Sequence, residues 1–165
     1  MRYILFIAIS IVISCSAKYD QKGIGEVYII DSQFRGRVNV IYQQSEGQLE
    51  ELSNGSRVFR IPNTGILLTQ SRMQDEPFEK HYILIDSNGQ SLELIAFSND
   101  ADNTSNLLGV YRSGTKGIYG NSNDANALRY HEFYISTADS LNNYLSFKSH
   151  RAFLNKLDSL TGRNF

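Results

Sequence analysis

The sequence predicts one mainly β domain, an antiparallel β-sandwich with a C-terminal α-helix or helix pair packed on it. Three observations support this class. Short segments rich in β-branched and aromatic residues alternate apolar and polar positions. Turn signals separate these segments about every eight to twelve residues, a spacing typical of sandwiches and barrels. Beyond Thr137 the apolar period changes to that of an amphipathic helix.

The first half of the chain reads as strands alternating with turns. Residues 25–30 form a first predicted strand, and residues 36–43 alternate clearly enough to indicate a strand with one buried face. A weak strand over residues 48–52 precedes Asn54-Gly55, the strongest short hairpin signal, and residues 57–61 follow it. Strands over residues 66–70, 80–86 and 91–97 continue the pattern. We therefore expect a β-meander up to residue 97.

The second half contains a less regular stretch and then a helical one. Residues 107–119 are apolar but are interrupted by three glycines, so we expect one short strand followed by irregular chain. Residues 128–135 form the last predicted strand. A helical period follows over residues 138–161, with Ser136 or Thr137 as the cap and Gly162 as the stop. Ser149 could begin a second helix.

The N-terminus has the form of a lipoprotein leader. Residues 1–14 combine a positive start with an apolar run too short to span a bilayer, which indicates a signal peptide. The ending Val12-Ile13-Ser14-Cys15 resembles the bacterial lipobox, which implies cleavage before Cys15 and its lipidation. Residues 15–23 would be a tether and residues 24–165 the domain. An ordinary secretory signal that ends near Ala17 is the alternative.

This leader places the protein in the cell envelope, anchored to a membrane through lipidated Cys15. Ser16 is not the aspartate that retains many lipoproteins at the inner membrane, so the outer membrane is favoured. The whole chain has 16 basic and 17 acidic residues, and removing Arg2 with the leader leaves 15 and 17. This balance argues against a nucleic-acid partner, which needs a basic face.

Composition also limits how the domain is stabilised. About 150 residues remain after the leader, enough to bury a core without a metal or a disulfide. Cys15 is the single cysteine of the chain, so no internal disulfide can form. No cofactor is predicted.

The weak metal candidates lie in one polar loop. Asp100, Asp102 and Thr104 alternate as oxygen ligands do in calcium loops. Ser105 stands where such a loop needs glycine, and Tyr111 where it needs glutamate. A hydrated loop is therefore the favoured interpretation, and an irregular calcium site is the alternative.

The weak binding candidates are His81, His131, Tyr130 and Tyr134. The two histidines lie within predicted strands without a metal-ligand spacing, so ordinary strand histidines are the favoured interpretation. The tyrosines could form a rim that stacks on sugars or peptides, although aromatic residues also simply fit strands. No residue pattern identifies a catalytic group.

Two stretches carry a family resemblance, GRVNVIY at residues 36–42 and RVFRIPNTGILLT at residues 57–69. They resemble a group of uncharacterised bacterial lipoproteins of Bacteroidota type that share a domain of unknown function. The resemblance covers residues 28–97 most clearly and implies the β-rich fold and the exported location. It brings no catalytic residues.

These observations favour a non-enzymatic envelope or surface module that binds a protein or a glycan, or that has a structural role. A ligand carrier or a hydrolase with a site on a concave sheet face is the alternative. A cleft that joins polar groups with perturbed pKa values would favour the second hypothesis.

Overall fold

The computed structural model describes residues 25–74, 79–98, 100, 106–124 and 127–163. The leader, Cys15 and the tether lie outside the described residues, as do Asp102 and Thr104. The described chain forms two packed five-stranded sheets and a C-terminal pair of helices. The predicted fold class, a mainly β sandwich with C-terminal helices, is confirmed.

Sheet A has parallel strands at its centre and antiparallel ones at its edges. With strands numbered along the chain, its order from edge to edge is β3 (Glu51–Ser53), β4 (Ser56–Arg60), β1 (Glu26–Asp31), β6 (Lys80–Ile85) and β7 (Ser91–Glu93).

Sheet B has the opposite arrangement, with antiparallel strands at its centre and parallel ones at its edges. Its order is β5 (Ile66–Leu68), β2 (Gly36–Ile41), β10 (Leu128–Ser136), β9 (Gly109–Tyr119) and β8 (Ala96–Phe97). Both sheets are therefore mixed, so the expectation of purely antiparallel pairing is wrong. The predicted β-meander is wrong, because the chain changes sheet between β1 and β2. Alternation of apolar and polar residues identifies the buried face of a strand but does not identify the strand that pairs with it.

The β3–β4 hairpin forms where Asn54-Gly55 predicted it. Both turn residues have positive φ, 49° at Asn54 and 78° at Gly55, as a tight primed turn requires. The strand before the turn is shorter than expected and occupies Glu51–Ser53.

Strand β9 corrects the expectation of irregular chain after residue 107, since it runs for 11 residues, with one irregularity near Arg112 where its pairing with β10 shifts register. Two of its glycines, Gly109 and Gly117, leave space for neighbouring side chains. A Cβ at Gly109 would clash with the Phe97 ring, and one at Gly117 would lie 2.5 Å from the Tyr130 hydroxyl. Gly114 has open space around it. Gly109 and Gly117 thus permit close approach within the sheet, and none of the three glycines ends the strand.

The two helices cover the outer face of sheet B. Helix α1 (Ala138–Leu145) buries Leu141 against Tyr111 and Tyr134, and α2 (Phe147–Thr161) buries Phe153 and Leu157. Both faces of β2 are consequently buried, so the expectation of one buried face is wrong. The covering helices are remote in sequence, and alternation within one strand does not reveal them.

The helix ends follow from local capping. Ser146 separates the helices and caps α2, and its hydroxyl accepts a hydrogen bond from the backbone N–H of Ser149. The predicted second cap at Ser149 is therefore three residues late. Gly162 ends α2 in the left-handed conformation, at a φ of 67°. In the described part of the chain, neither helix combines the length and apolar character that a membrane span needs.

Candidate functional site

The most unusual feature of the core is a row of charged residues at the start of three parallel strands. Glu26 on β1 lies in register with Arg57 on β4 and with Lys80 on β6. Because side chains at matched positions of parallel strands share a face, all three point between the sheets. Arg57 is only 1% exposed.

Glu26 and Arg57 form a buried ion pair. The Nη2 atom of Arg57 donates to Oε1 of Glu26, and Nη1 donates to the carbonyl oxygen of Arg72 at 2.8 Å. Glu50 lies 3.9 Å from Nη1 and is about half exposed. Among the described residues the Nε atom of Arg57 has no hydrogen-bond acceptor. The guanidinium is thus held on two sides, as a buried cation must be.

Tyr28 connects this pair to sheet B. Its hydroxyl donates to Oε2 of Glu26 at 2.6 Å, since an ionised carboxylate only accepts. The same hydroxyl oxygen lies 2.9 Å from Nδ1 of His131, a hydrogen bond between the two sheets. Lys80 completes the set from the other side of the ring, with its Nζ 3.2 Å from Nε2 of His131. We call Glu26, Tyr28, Arg57, Lys80 and His131 the inner network.

The inner network holds His131 neutral. Burial lowers the pKa of His131 to about 4, and the positive charge of Lys80 acts in the same direction. The Nε2 atom also lies 2.5 Å from the carbonyl oxygen of Ser113, a contact that favours a proton on Nε2 but is outweighed. Burial likewise lowers the pKa of Lys80, whose ammonium donates to the same carbonyl at 3.1 Å.

A row of aromatic side chains lies two residues further along the same three strands. Tyr28 stacks on Tyr82 with ring centroids 5.0 Å apart and on Phe59 at 5.3 Å, while Phe133 meets Tyr28 edge-on at 5.1 Å. Burial raises the pKa of Tyr28 and of Tyr82, so both remain neutral phenols. The charged row is therefore closed on its inner side by packed rings.

On its outer side the charged row borders an open depression of about 590 Å³, which we call the arginine groove. It is lined by Leu49, Glu50, Arg57, Gln70, Ser71, Arg72 and Gln74. Its lining is mostly charged or amide groups. The side-chain oxygen of Gln74 is buried without a hydrogen-bond partner among the described residues. The groove can therefore offer the guanidinium of Arg72 and side-chain amide groups to a ligand.

A second set of polar side chains lies on the outer face of sheet B, under the helices. We call it the helix-side network, and its members are Arg37, Asn39, Tyr119, Glu132, Tyr134 and His150. Arg37 Nε lies 3.1 Å from Glu132 Oε2 and 2.9 Å from the Tyr134 hydroxyl, to which it donates. Tyr134 in turn donates to Oε1 of Glu132 at 2.8 Å.

The helix-side network extends to the neighbouring strands and to α2. Asn39 donates to Glu132 at 3.1 Å and accepts from the Tyr119 hydroxyl at 3.0 Å. From α2, the Nδ1 atom of His150 lies 2.9 Å from Nη1 of Arg37 and accepts a hydrogen bond from the guanidinium, which can only donate. Arg37 also lies over the ring of Phe153, 4.8 Å from its centroid. This network joins the second helix to the sheet.

The structure separates the residues that the sequence proposed as binding candidates. His131 points inward, whereas Tyr130 and Tyr134 point outward under the helices. His81 is on the outer side of sheet A, with its Nδ1 2.6 Å from Glu93. These four residues therefore do not form one site.

The loop of metal candidates is described only at Asp100. Its carboxylate accepts from Arg112 at 2.7 and 3.0 Å, an ion pair. Within the ranges that the structure describes, no group of three histidine, cysteine or acidic side chains is placed to hold a metal ion.

The central charged residues of both networks were not singled out from the sequence. Arg57 lies on the same side of its strand as the apolar residues Phe59 and Ile61. Glu26 likewise lies on the same side of its strand as Tyr28. A charged residue in the apolar register of a buried strand is a usable signal, because it needs a partner inside. The partner itself depends on the parallel pairing, which the meander prediction missed.

Comparisons with known proteins support the fold and the resemblance. A crystal structure of a predicted lipoprotein from Bacillus anthracis superposes with a TM-score of 0.55 at 12% identity, covering 81% of this chain and 94% of that one. No curated protein matches the chain. A family of unknown function, DUF6843, matches residues 22–144. The predicted resemblance to a domain of unknown function is thereby confirmed, and the chain belongs to the DUF6843 family.

Proposed function

We propose that this protein is a non-enzymatic binding module of the cell envelope, held at a membrane through lipidated Cys15. Its ligand site is the arginine groove. The ligand class that fits is an envelope polymer or peptide that carries a carboxylate beside amide or hydroxyl groups. The outer membrane is the favoured location, since Ser16 follows the cysteine.

Support for the anchor comes from the N-terminus. An apolar leader, a lipobox-like ending and the single cysteine occur together at the expected depth. The structural neighbour from Bacillus anthracis is itself described as a predicted lipoprotein, which agrees with this proposal. Acyl chains contribute about 0.8 kcal/mol for each buried CH₂ group, so several chains on one residue anchor a protein firmly.

One observation carries the binding proposal, namely the exposed Arg72 in the lining of the arginine groove. The side chain of Arg57 also lines the groove, while Glu26 and the Arg72 carbonyl fix its guanidinium from within. Because Arg57 is 1% exposed, its guanidinium forms part of the groove wall and leaves direct contact with a ligand carboxylate to Arg72. Arg72 is exposed on the same groove, so a ligand carboxylate can pair with its guanidinium on the side away from Glu50.

The inner network favours binding over catalysis. His131 and Lys80 are the groups with lowered pKa values that could act as bases, yet His131 is 1% exposed and hydrogen-bonded at both ring nitrogens. A general base must come within hydrogen-bond reach of its substrate. The packed aromatic row closes the approach from inside the sandwich.

The test is a titration of the isotope-labelled chain from residue 16 onward, followed by NMR. The probes are a muramyl peptide, an N-acetylglucosamine tetramer and a short acidic peptide. We expect the muramyl peptide, which combines carboxylate, amide and hydroxyl groups, to shift amide signals of residues 70–74. Arg72→Ala should weaken this binding about tenfold, since an ionic hydrogen bond contributes about 1.5–3 kcal/mol.

Arg35→Ala is the matched control, because Arg35 is an exposed arginine that lines a different depression, with Asp31 and Asn63. This variant should bind like the wild type. Absence of any shift around the groove with all three probes, or an equal loss in both variants, would contradict the groove as a binding site. Mass spectrometry of the membrane-extracted protein tests the anchor separately, and an unmodified Cys15 would contradict it.

A further inference from the structure

The outward face of α2 is basic, although the chain as a whole is slightly acidic. The helix contains Lys148, Arg151 and Lys156 against one acidic residue, Asp158, which gives it a net charge of +2. The three basic side chains are all exposed, while Phe153 and Leu157 face the sheet. The helix is therefore amphipathic, with an apolar face inward and a basic face outward.

Within the described part of the chain, none of these three basic side chains is paired with a carboxylate. Lys156 donates a hydrogen bond to the backbone carbonyl of Thr64 at 3.0 Å. By contrast, Arg60 and Arg112 are paired with acidic neighbours. The face of α2 is thus open to an anionic surface outside the molecule.

Exposed apolar side chains flank this basic face. Phe147, at the first position of α2, is 82% exposed, the largest value among the exposed large apolar residues of the described chain. Leu160, near the other end, is 46% exposed. Arg151 follows Phe147 by four residues, so both lie on one side of the helix. Basic residues flanked by an aromatic ring are typical of helices that lie at a membrane surface.

The tether allows this face to reach the bilayer. Nine residues lie between Cys15 and Gly25. The ten Cα-to-Cα steps that join these two residues span at most about 33–36 Å when fully extended. A domain of this size has a radius of gyration of about 14 Å, so any face can be turned toward the membrane. We propose that the exposed face of α2 docks on the anionic phospholipid headgroups of the membrane that holds Cys15, an inference that rests on the proposed lipid anchor.

The chain offers a clean probe because it contains no tryptophan. Phe147→Trp places a single indole at the most exposed position, and Leu92→Trp places one on β7 of sheet A at a site that is 59% exposed. Each lipidated full-chain variant is reconstituted in phosphatidylcholine vesicles with and without equimolar phosphatidylglycerol. For Phe147→Trp we expect a blue shift and quenching by brominated acyl chains on anionic vesicles only. For Leu92→Trp we expect neither effect.

A second experiment removes the basic charges of α2. The variant K148Q/R151Q/K156Q in the Phe147→Trp background should lose the shift, because each basic residue near an anionic surface strengthens binding about fivefold. Circular dichroism then shows that α2 remains folded. High salt should suppress the shift of the parent as well.

The two proposals fail in different ways. Protein that carries no lipid and does not float with vesicles contradicts the anchor of the proposed function. Suppose instead that Phe147→Trp is lipidated and floats, but that its indole emission is the same on neutral and anionic vesicles. That result overturns the docking inference and leaves this face to a protein partner. Equal shifts in the Phe147→Trp and Leu92→Trp variants would overturn it too.

Discussion

The inner network and the helix-side network contain the same kind of pair in different settings. Each is built around an arginine and a glutamate on neighbouring strands, with tyrosine and histidine completing the hydrogen bonds. The Arg57–Glu26 pair lies between two sheets, with side chains 2% and 6% exposed. The Arg37–Glu132 pair lies between one sheet and a helix, at 13% and 10%.

The different locations of the two pairs indicate which part of the fold each pair stabilises. The inner pair joins β1 to β4 and reaches β10 through Tyr28, so it depends on both sheets being formed. The helix-side pair joins β2 to β10 and then reaches α2 through His150. We infer that the inner network belongs to the global folding unit, and that the helix-side network stabilises the docking of α2.

The largest effect should come from Glu26→Ala. This change leaves the Arg57 guanidinium buried without its partner, and breaking such a pair costs about 3–5 kcal/mol. Urea unfolding followed by circular dichroism measures the loss. The double variant E26L/R57M should be less destabilised than Glu26→Ala, because no unpaired charge remains. An equal or larger loss in the double variant would show that the pair itself stabilises the core.

The second largest effect should come from acidification, which protonates His131 in the inner network. His131 has a pKa of about 4 in the fold and an ordinary value near 6.5 when unfolded, so the unfolded chain binds more protons between these values. Stability is therefore fully present above about pH 6.5 and falls toward pH 4, by about 3 kcal/mol at most. Unfolding measured across this window should show a shallower dependence for His131→Gln. Parallel curves for the two proteins would contradict the neutral buried histidine.

A smaller and local effect should follow from Glu132→Gln. The variant removes the charge that faces Arg37, and a hydrogen bond to a charged group contributes about 1.5–3 kcal/mol. We expect a loss of about 2 kcal/mol, expressed mainly as faster amide exchange in α2. Equal acceleration in β1 and β6 would show instead that the two networks form one cooperative unit.

The smallest effect tests the glycines beside the helix-side network. Gly117→Ala would force its Cβ against the Tyr130 side chain, and we expect a loss near the lower end of the usual overpacking cost, about 1 kcal/mol. Gly114→Ala is the control on the same strand, because its Cβ would meet open space, and it should be neutral. Thermal unfolding of the two variants gives the comparison. Equal melting temperatures would contradict the role of Gly117 as space for Tyr130.

The fold class could be predicted because its signals are local. Alternation within single strands, Asn54-Gly55 at the hairpin and Gly162 at the end of α2 depend on neighbouring residues only. Strand order could not be predicted, because the parallel pairing of β1 with β4 and β6 joins segments that no short turn connects. The meander prediction failed at this level.

The candidate site was harder to predict for the same reason. Lys80 precedes the segment HYILI and Arg57 precedes VFRI, so each looked like the polar start of a strand. Their meaning depends on the register that aligns both with Glu26. His131 was identified as a strand histidine, but its distance from Tyr130 and Tyr134 follows from the pleat, which places adjacent side chains on opposite faces.

Native-state hydrogen exchange of the unmodified domain tests the central claim most directly, since it gives an opening free energy for each protected amide. The division into two networks predicts two different opening free energies. Amides of β1, β4 and β6 should open only with global unfolding, and amides of α2 should open at a lower free energy while the sheets stay closed. A single opening free energy shared by α2 and the central strands of sheet A would contradict the division into a global inner network and a local helix-side one.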